Sequence, residues 1–406
     1  MEEWRQSSWG SEITLEYEKA IRGYQEAIAP YRVYGTNGPV GWAEKPLAPG
    51  PGVILGRKGA YRGVNFSRDP FFVIDTAYYV KPKHDLLDMR WLYYAIIHHK
   101  LGEIDDGSPI PSTTRAAVYV RDFDVPPLSE QRAIAATLGA LDDKIELNRR
   151  MCETLESMAR ALFRDWFVDF GPTRAKMAGT APYLAADLWS LFPDRLNEEG
   201  KPEGWEVLGL GDVAKNHSET MDLKKRQKVI FVNTGDVSQG IFLHSNYSDA
   251  KGLPGQAKKK IEVGDILYSE IRPKNRRYAF VNFDAPDHLV STKFMVLRTI
   301  SAVSPIHLYF LVSSSEAVEE FNTVAESRSG TFPQITFDSI KHFPVTLAND
   351  EIMKAFSEIL ESIFKLRWES ERENEALAET RDLLLPRLMS GELRVADAES
   401  LLERVL

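Results

Sequence analysis

Clusters of basic residues give this 406-residue sequence its most evident chemistry. Guanidinium and ammonium groups neutralise phosphates, and an arginine can also bind a guanine edge through two parallel hydrogen bonds. A single cluster more often marks a solvated loop. A nucleic-acid site is therefore indicated only where clusters recur in matched positions. The clusters are Arg57-Lys58 with Arg62, Lys224-Lys225-Arg226-Gln227-Lys228, Lys258-Lys259-Lys260, and Arg272-Pro273-Lys274-Asn275-Arg276-Arg277.

The formal net charge of −9 argues against a nucleic-acid partner, because proteins that bind DNA usually carry a basic surface. The distribution of the charge weakens that objection. Segment 129–170 has a net charge of −2 and segment 347–394 a net charge of −4. Most of the excess acid thus lies in two segments that contain none of the basic clusters.

Sequence motifs of catalysis are absent or have a simpler structural explanation. No Gly-rich loop is followed by Lys-Ser or Lys-Thr, so the sequence does not predict an ATP-driven motor. The run 125–128, Val-Pro-Pro-Leu, lacks both ends of the Asn-Pro-Pro-Tyr type of methyltransferase motif. Asp142-Asp143-Lys144 has nuclease-like spacing but falls on an amphipathic helix, which predicts a solvated face. His98-His99, in a helix predicted over 89–101, is interpreted as surface. We expect a chain that is not an enzyme and has no cofactor of its own.

Cysteine content and hydropathy limit the class of protein further. Cys152 is the single cysteine, which excludes a disulfide framework and a cysteine-built zinc site. The sequence has no signal peptide pattern and no run of about 18 apolar residues. We therefore expect a soluble, cytoplasmic protein with no metal site and no membrane contact.

The sequence repeats itself with a period of roughly 200 to 220 residues. Each copy has a tryptophan six residues before a glycine, an apolar run that leads into a basic loop, an alternating run, a loop that ends in proline, and an extended run before a long helix. Two copies this long can each form a domain, so the pattern predicts a duplication and not a solenoid. The matched pairs are Trp4 and Trp205, 52–57 and 264–272, 74–80 and 290–296, 107–111 and 329–333, and 123–128 and 343–347.

A long helix is predicted after each copy. Ser129 is expected to cap the first helix, which should end before Gly171, and Asn349 or Asp350 the second. Pro386 is expected to kink or end the second helix, with Gly391 as terminator. Apolar residues alternate at steps of four and three in both, which is typical of a coiled-coil seam. The seam residues are Ile134, Leu138, Leu141, Ile145, Asn148, Leu155, Leu162, Trp166, Ile352, Phe356, Ile359, Ile363 and Leu366.

Two such helices in one chain can pack antiparallel, each leading away from its own domain. At about 1.5 Å per residue, roughly 40 residues form a rod about 60 Å long. The predicted fold class is α+β: two α/β domains separated by two long antiparallel coiled-coil helices, with a pseudo-two-fold repeat. The segments are 1–127, 128–171, 172–346 with a linker over 172–204, and 347–406. Asn148 is either a register device in the seam or a wet residue at its edge.

The helical segments and their flanks resemble the specificity subunits of type I restriction-modification systems. Segments 126–148 (Pro-Pro-Leu-Ser-Glu-Gln-Arg-Ala-Ile to Glu-Leu-Asn) and 155–170 are similar to the central conserved region of that family, and 381–393 to its distal region. Segment 201–213, Lys-Pro-Glu-Gly-Trp to Leu-Gly-Asp-Val, resembles the opening of its second target recognition domain. The resemblance covers essentially the whole chain. The first copy departs from it, because it lacks the Leu-Gly-Asp-Val pattern.

The resemblance implies a non-catalytic subunit that binds double-stranded DNA. Each target recognition domain would contact one half of a split, non-palindromic sequence, while the helices fix the distance and dock two methyltransferase subunits. Restriction subunits can join that complex, and S-adenosylmethionine and ATP would belong to the partner subunits. Two alternatives stay open: a stand-alone bipartite DNA-binding regulator, and a coiled-coil scaffold that binds only proteins.

Candidate DNA contacts follow from the matched loops of the two copies. Lysines and arginines would neutralise phosphates, and arginine, asparagine or glutamine could bind base edges in the major groove. The candidates in the first copy are Arg57, Lys58, Tyr61, Arg62 and Arg115. Those in the second copy are Ser269, Arg272, Lys274, Asn275, Arg276, Arg277, Arg328, Ser329 and Thr331.

Overall fold

The computed structural model describes residues 4–19, 21–59, 61–104, 107, 111–300, 303–328 and 330–402. The chain divides into two compact units. Unit 1 comprises Met1–Arg149 and Glu371–Leu406, and unit 2 comprises Arg150–Ser370. Both boundaries fall inside the long helices, so each unit contains one globular part and a portion of each helix.

Unit 1 is a mixed α/β unit. Strands β2, β8, β5 and β6 form a four-stranded sheet in that order, β3 lies between β4 and β7, and β1 pairs with β9. Strands β3 and β7 run parallel. The elements are β1 (Arg5–Ser8), α1 (Trp9–Glu12), β2 (Ile13–Glu16), β3 (Tyr31–Gly35), β4 (Gly38–Ala43), β5 (Gly52–Gly56), β6 (Val64–Ser67), β7 (Phe71–Val73), β8 (Ala77–Pro82), α2 (Met89–His98), a 3-10 turn (Leu101–Glu103), α3 (Arg115–Tyr119), β9 (Asp122–Val125) and the start of α4 (Leu128–Phe167).

Unit 2 repeats this topology. Strands β11, β20, β17 and β18 form the corresponding sheet, β12 is parallel to β19, and β10 pairs with β21. The elements are α5 (Gly171–Met177), α6 (Ala186–Leu191), β10 (Glu206–Gly209), α7 (Leu210–Val213), β11 (Ala214–His217), β12 (Lys228–Val232), β13 (Val237–Ser238), β14 (Ile241–Phe242), β15 (Ser248–Asp249), β16 (Ala257–Lys260), β17 (Ile266–Ser269), β18 (Tyr278–Phe280), β19 (His288–Ser291), β20 (Phe294–Thr299), α8 (Pro305–Val312), α9 (Ser315–Arg328), α10 (Phe337–Ile340), β21 (Pro344–Leu347) and the start of α11 (Asp350–Met389); 3-10 turns lie at Leu223–Lys225, Thr234–Asp236 and Pro273–Asn275, and α12 (Val395–Leu402) belongs to unit 1. The predicted duplication is confirmed by this shared strand order.

The two long helices are 40 residues each. Helix α4 begins at Leu128, because the carbonyl of Pro127 already accepts from the N–H of Gln131 at 2.9 Å, so the prediction that Ser129 caps it was wrong. Asn349 does cap α11, since its Oδ1 accepts from the N–H of Ile352 at 2.9 Å. Pro386 was predicted to kink or end α11; the helix continues through Pro386 to Met389, so the proline does not end it.

Both units pair the helices antiparallel, as predicted. In unit 1, Glu130 pairs with Arg394 at 3.2 Å, whereas Lys144, further along α4, pairs with the earlier Glu373 at 3.3 Å. In unit 2, Phe163 in the second half of α4 packs against Phe356 in the first half of α11, with their ring centres 6.2 Å apart.

The predicted seam is buried in most positions and shifts phase in one place. All of the predicted seam residues are buried or half-buried except Leu366, which is 51% exposed. The prediction was therefore wrong for Leu366. The buried residues there follow steps of four, Ile352, Phe356, Leu360 and Phe364. Steps of four drift relative to a heptad, as expected where a helix packs on a globular core and not on one helix alone. Phe364 packs against Phe280 and Tyr309 of that core.

Candidate DNA interface

The basic loop of unit 1 lies between β5 and β6 and is residues 57–62, of which 57–59 and 61–62 are described. It is held beside the segment that precedes α3, because the N–H of Gly59 donates to Pro111 and the N–H of Thr113 donates to Arg57, both at 2.9 Å. The structure therefore brings the Arg57 cluster and Arg115 into one loop region, although they are far apart in sequence.

The basic loop of unit 2 is residues 270–276, between β17 and β18, and it is held in the same way. The N–H of Arg272 donates to Pro333 at 3.1 Å and the N–H of Ile335 to Glu270 at 2.9 Å. These matched bonds make Glu270 the counterpart of Arg57 and Arg272 the counterpart of Gly59. The basic residues that follow the two apolar runs, Arg57 and Arg272, thus do not occupy equivalent positions.

Two arginines of the unit 2 loop have a left-handed backbone. Arg272 has φ +45° and Arg276 φ +52°. This conformation is costly for a residue with a side chain and persists only where the surroundings impose it, which is common at functional sites. Lys274 and Asn275 lie between them and are exposed. Lys274 is 3.8 Å from Glu326, a loose ion pair at the surface.

Arg62, Arg277 and Ser269 serve the loops themselves. Arg62 donates to the carbonyls of Gly102 at 2.9 Å and Ile104 at 2.8 Å, and Arg277 to that of Val237 at 2.9 Å. Ser269 is only 2% exposed. The structure contradicts a direct DNA contact by Ser269, because its side chain is buried, and it assigns the two guanidinium groups to the positioning of loops.

The other candidates keep accessible side chains. Lys58, Arg115, Thr331 and Arg328 are exposed, and Arg328 donates to Thr336 Oγ1 at 3.2 Å. Arg57 and Arg276 are half-buried. Ser329 lies outside the described residues.

Tyr61 is 80% exposed and borders an open groove of about 500 Å³. Sequence reasoning missed Asn37, which also lines this groove and whose amide group could donate and accept at a base edge. Asn37 follows β3 and lies in no basic cluster, so only its place in a turn beside Gly38 could have drawn attention to it.

The two remaining basic clusters are largely neutralised. Lys259 is buried and its Nζ donates to the carbonyl of Phe294 at 2.6 Å, and burial lowers the pKa of this lysine. Lys260 lies 3.3 Å from Glu262. Arg226 pairs with Asp287 and Lys225 with Asp222. These clusters are therefore poorer phosphate sites than the loops.

A carboxylate, an arginine and a tyrosine connect the helices to the globular part in each unit. In unit 1, Asp142 of α4 accepts from Arg381 of α11 at 2.8 Å and from the hydroxyl of Tyr94 of α2 at 2.5 Å. Burial raises the pKa of Tyr94, so the hydroxyl stays protonated and donates. The prediction of a solvated face was wrong for Asp142, because it is paired on two sides. Asp143 is also paired, and a hydrogen bond from Arg90 lowers its pKa.

Unit 2 contains the same three kinds of residue. Glu156 of α4 accepts from Arg367 of α11 at 2.8 Å and from the hydroxyl of Tyr309 of α8 at 3.4 Å. Arg160 adds a second cation 2.7 Å from Glu156. Burial raises the pKa of Tyr309, which therefore remains a donor. Each unit thus fixes its own helix pair to its own globular part.

Asn148 of α4 is 1% exposed, and its Nδ2 donates to Glu373 of α11 at 2.7 Å. The interpretation as a wet edge residue was therefore wrong. A role in fixing the register of the helices remains a prediction.

No group of three or more His, Cys, Asp or Glu side chains that could hold a metal is found among the described residues. The predicted surface location of His98 and His99 was wrong, because both are half-buried and His99 packs 5.7 Å from the ring of Trp9. Of the helices in the described part of the chain, none is long and apolar enough to cross a membrane.

Comparison with known proteins gives consistent matches. The family model of the type I restriction modification DNA specificity domain matches residues 23–157 and 202–379, once in each copy. The specificity subunit of type I restriction enzyme HindI from Haemophilus influenzae is 48% identical over 157 residues, 38% of this chain and only 34% of that protein. The specificity subunit of MjaIX from Methanocaldococcus jannaschii is 22% identical over 406 residues, 96% of this chain and 88% of that protein.

A solved structure shares the fold. The crystal structure of a type I restriction-modification system S subunit from M. genitalium superposes with a TM-score of 0.56 at 14% identity. The match covers 95% of this chain and 96% of that one.

Proposed function

The chain belongs to the type I restriction modification DNA specificity family, and we propose that it selects the DNA on which such a system acts. Each unit binds one half of a split, non-palindromic duplex sequence through its loop between paired strands. The two halves of the target are separated by a few base pairs that are not read, because two domains on one face of a duplex contact sites about one helical turn apart.

The observation that carries this proposal is that two loops held by equivalent hydrogen bonds carry different side chains in the two units. Loops 57–62 and 270–276 leave equivalent strands and pair with equivalent prolines, Pro111 and Pro333. The exposed side chains on the two loops differ, with Lys58 and Tyr61 in unit 1 and Arg272, Lys274 and Asn275 in unit 2. Two similar frames that present different donors and acceptors suit two different half-sites.

The long helices are the docking surface for two methyltransferase subunits in this proposal, and restriction subunits join the same complex. The exposed charged side chains of α11 are predominantly acidic, whereas those of α4 are predominantly basic because most carboxylates of α4 are half-buried. S-adenosylmethionine and ATP belong to those partners, and this chain contributes DNA selection without catalysis. A complex that methylates chromosomal DNA would act in the cytoplasm.

Methylation mapping tests the proposal. We would sequence the methylome of cells that express the methyltransferase encoded beside this chain, with and without the chain, and purify the tagged chain from the same cells. We expect one split, non-palindromic methylated motif that disappears without the chain, and a stable complex with the methyltransferase. An unchanged methylome with both partners expressed would overturn the proposal. Sequence-specific DNA binding by the chain without any methyltransferase complex would instead support a stand-alone regulator.

A further inference from the structure

Two arginines and two tyrosines form a cluster at the start of the unit 1 loop. The guanidinium of Arg57 lies 4.2 Å from the ring centre of Tyr17 and 5.4 Å from that of Tyr78. The guanidinium of Arg115 lies 5.1 Å and 5.5 Å from the same two rings. Two cations thus share one pair of aromatic rings, which meet edge to face at 5.8 Å.

The positive charge of this cluster is not neutralised by the protein. Among ion pairs of the described residues, none involves Arg57 or Arg115. The aromatic faces attract the cations only weakly and do not cancel their charge. Two like charges beside the same pair of rings therefore favour an anion between or beside them.

Both guanidinium groups retain hydrogen-bond donors for such an anion. Arg57 Nη1 donates to the carbonyl of Asp75 at 3.0 Å and Arg115 Nε to the carbonyl of Leu15 at 2.6 Å. These bonds engage one nitrogen of each guanidinium group, and the side chain of Arg57 also interacts with the hydroxyl of Tyr78. The remaining N–H groups suit a phosphate, which arginine binds with two parallel hydrogen bonds. Arg115 and Tyr17 are both exposed to solvent, so the cluster is accessible.

Among the described residues of unit 2, the positions equivalent to Arg57 and Arg115 do not form such a cluster. The hydrogen-bond match places Glu270 at the position of Arg57. Helices α3 and α10 both begin directly after a threonine, Thr114 and Thr336, which places Phe337 at the position of Arg115. Glu270 lies 3.9 Å from Lys293, so the counterpart site is neutralised.

We propose that Arg57 and Arg115, held by Tyr17 and Tyr78, form a clamp for one backbone phosphate of the first half-site. This inference rests on the proposed function and adds to it a contact that positions the duplex without reading bases. This contact is made only in unit 1. Neutralising the contacted phosphate should therefore weaken binding of the first half-site, whereas neutralising the equivalent phosphate of the second half-site should not.

The test uses the full chain in complex with its methyltransferase and a duplex that carries the mapped motif. The variant Arg57→Gln/Arg115→Gln should bind the duplex about tenfold or more weakly, and the slope of log K against log salt should flatten by about one. The methylated motif should stay the same, because a phosphate contact carries no sequence information. Arg121→Gln is the matched control, since it removes one exposed arginine from the same unit outside the loops, and it should leave both quantities near those of the parent.

Neutral backbone substitution locates the contact. A single methylphosphonate, moved along each strand of the first half-site, should weaken binding of the parent complex at each contacted phosphate. At one of these positions it should have no further effect on the double variant. Loss of binding at every salt concentration together with a lowered melting temperature would indicate that the double variant is misfolded. The variant Arg57→Lys/Arg115→Lys is then tested instead, because it keeps both charges and loses the paired hydrogen bonds. It should retain the salt slope and lose part of the affinity.

Two results would overturn the clamp and leave the proposed function intact. One is unchanged affinity and salt slope in the double variant, and the other is a first half-motif that becomes relaxed, which would make these arginines base readers. If the parent complex recognises no split motif at all, the proposed function itself fails.

Discussion

Units 1 and 2 have the same strand order and the same loop-to-proline hydrogen bonds, but they differ in the residues placed on that frame. Arg57 and Arg115 in unit 1 correspond to Glu270 and Phe337 in unit 2. The unit 2 loop is one residue longer between its closing bonds, which join Gly56 to Gly63 in unit 1 and Ser269 to Arg277 in unit 2. A backbone frame can thus stay constant while the charge and reach of the presented side chains change.

The connection between helices and globular part shows the opposite pattern. Both units use a carboxylate of α4, an arginine of α11 and a tyrosine, yet these residues do not lie at matched positions of the two repeats, which are offset by 222 residues in the helices. Asp142 would match Phe364, and Arg367 would match Ile145. The same type of contact is therefore made in each unit by residues that differ in position and burial, and the units should differ in their sensitivity to its loss.

The largest expected effect concerns this contact in unit 2. Glu156→Ala removes the carboxylate next to the buried Arg367 and should lower the free energy of unfolding by about 3–5 kcal/mol. Asp142→Ala should cost less, because Arg381 is more exposed and keeps Asp382 at 2.7 Å. Denaturant unfolding followed by tryptophan fluorescence measures both.

The control for this pair is Glu358→Ala, which removes an exposed helical ion pair with Lys354 and should change stability by less than about 0.5 kcal/mol. Equal costs for Glu156→Ala and Asp142→Ala would show that burial of the contact does not distinguish the units.

The second effect is a difference in acid stability. His307 of α8 is fully buried among Phe163, Phe167 and Phe356, and burial lowers its pKa to about 4. When the first residues of α2 and α8 are aligned, the unit 1 counterpart of His307 is Trp91, which cannot titrate.

Because the folded pKa of His307 lies below its ordinary value of 6.5, the unfolded chain binds the proton first as the pH falls. Stability from this site is complete above pH 6.5 and declines by about 3 kcal/mol as the pH approaches 4. His307→Phe should flatten this decline, measured as melting temperature against pH, whereas His342→Gln, at an exposed position of unit 2, should leave it unchanged. A decline of equal steepness in His307→Phe would contradict the assignment.

The smallest effect concerns the seam. Asn148→Ala breaks a hydrogen bond between helices and should cost about 1 kcal/mol, with Glu373 still paired to Lys144. Its counterpart Ser370 bonds to the carbonyl of Leu366 in its own helix, so Ser370→Ala should cost almost nothing. If Ser370→Ala lowers the free energy of unfolding more than Asn148→Ala does in denaturant unfolding, the seam position of unit 2 contributes more to stability, which would contradict this comparison.

The repeat, the long helices and the grouping of the loops could be predicted from sequence, because they depend on periodicity and on the order of features. Whether a single side chain is exposed, buried or held by hydrogen bonds could not be predicted from sequence. Arg57 and Arg62 are five residues apart, yet only Arg62 donates hydrogen bonds to the carbonyls of Gly102 and Ile104, which are distant in sequence. Leu366 fits a heptad, but packing on a globular core shifts the buried face to Arg367.

The central claim is that the two units present different side chains on equivalent frames in order to read different half-sites. Replacing Arg272, Lys274 and Asn275 with alanine in the full chain, followed by methylome sequencing, tests it most directly. Each lost base contact costs about 1–3 kcal/mol of discrimination, so the second half of the methylated motif should relax while the first half and the gap stay unchanged. A change in the first half, or the same relaxation in both halves, would contradict the claim.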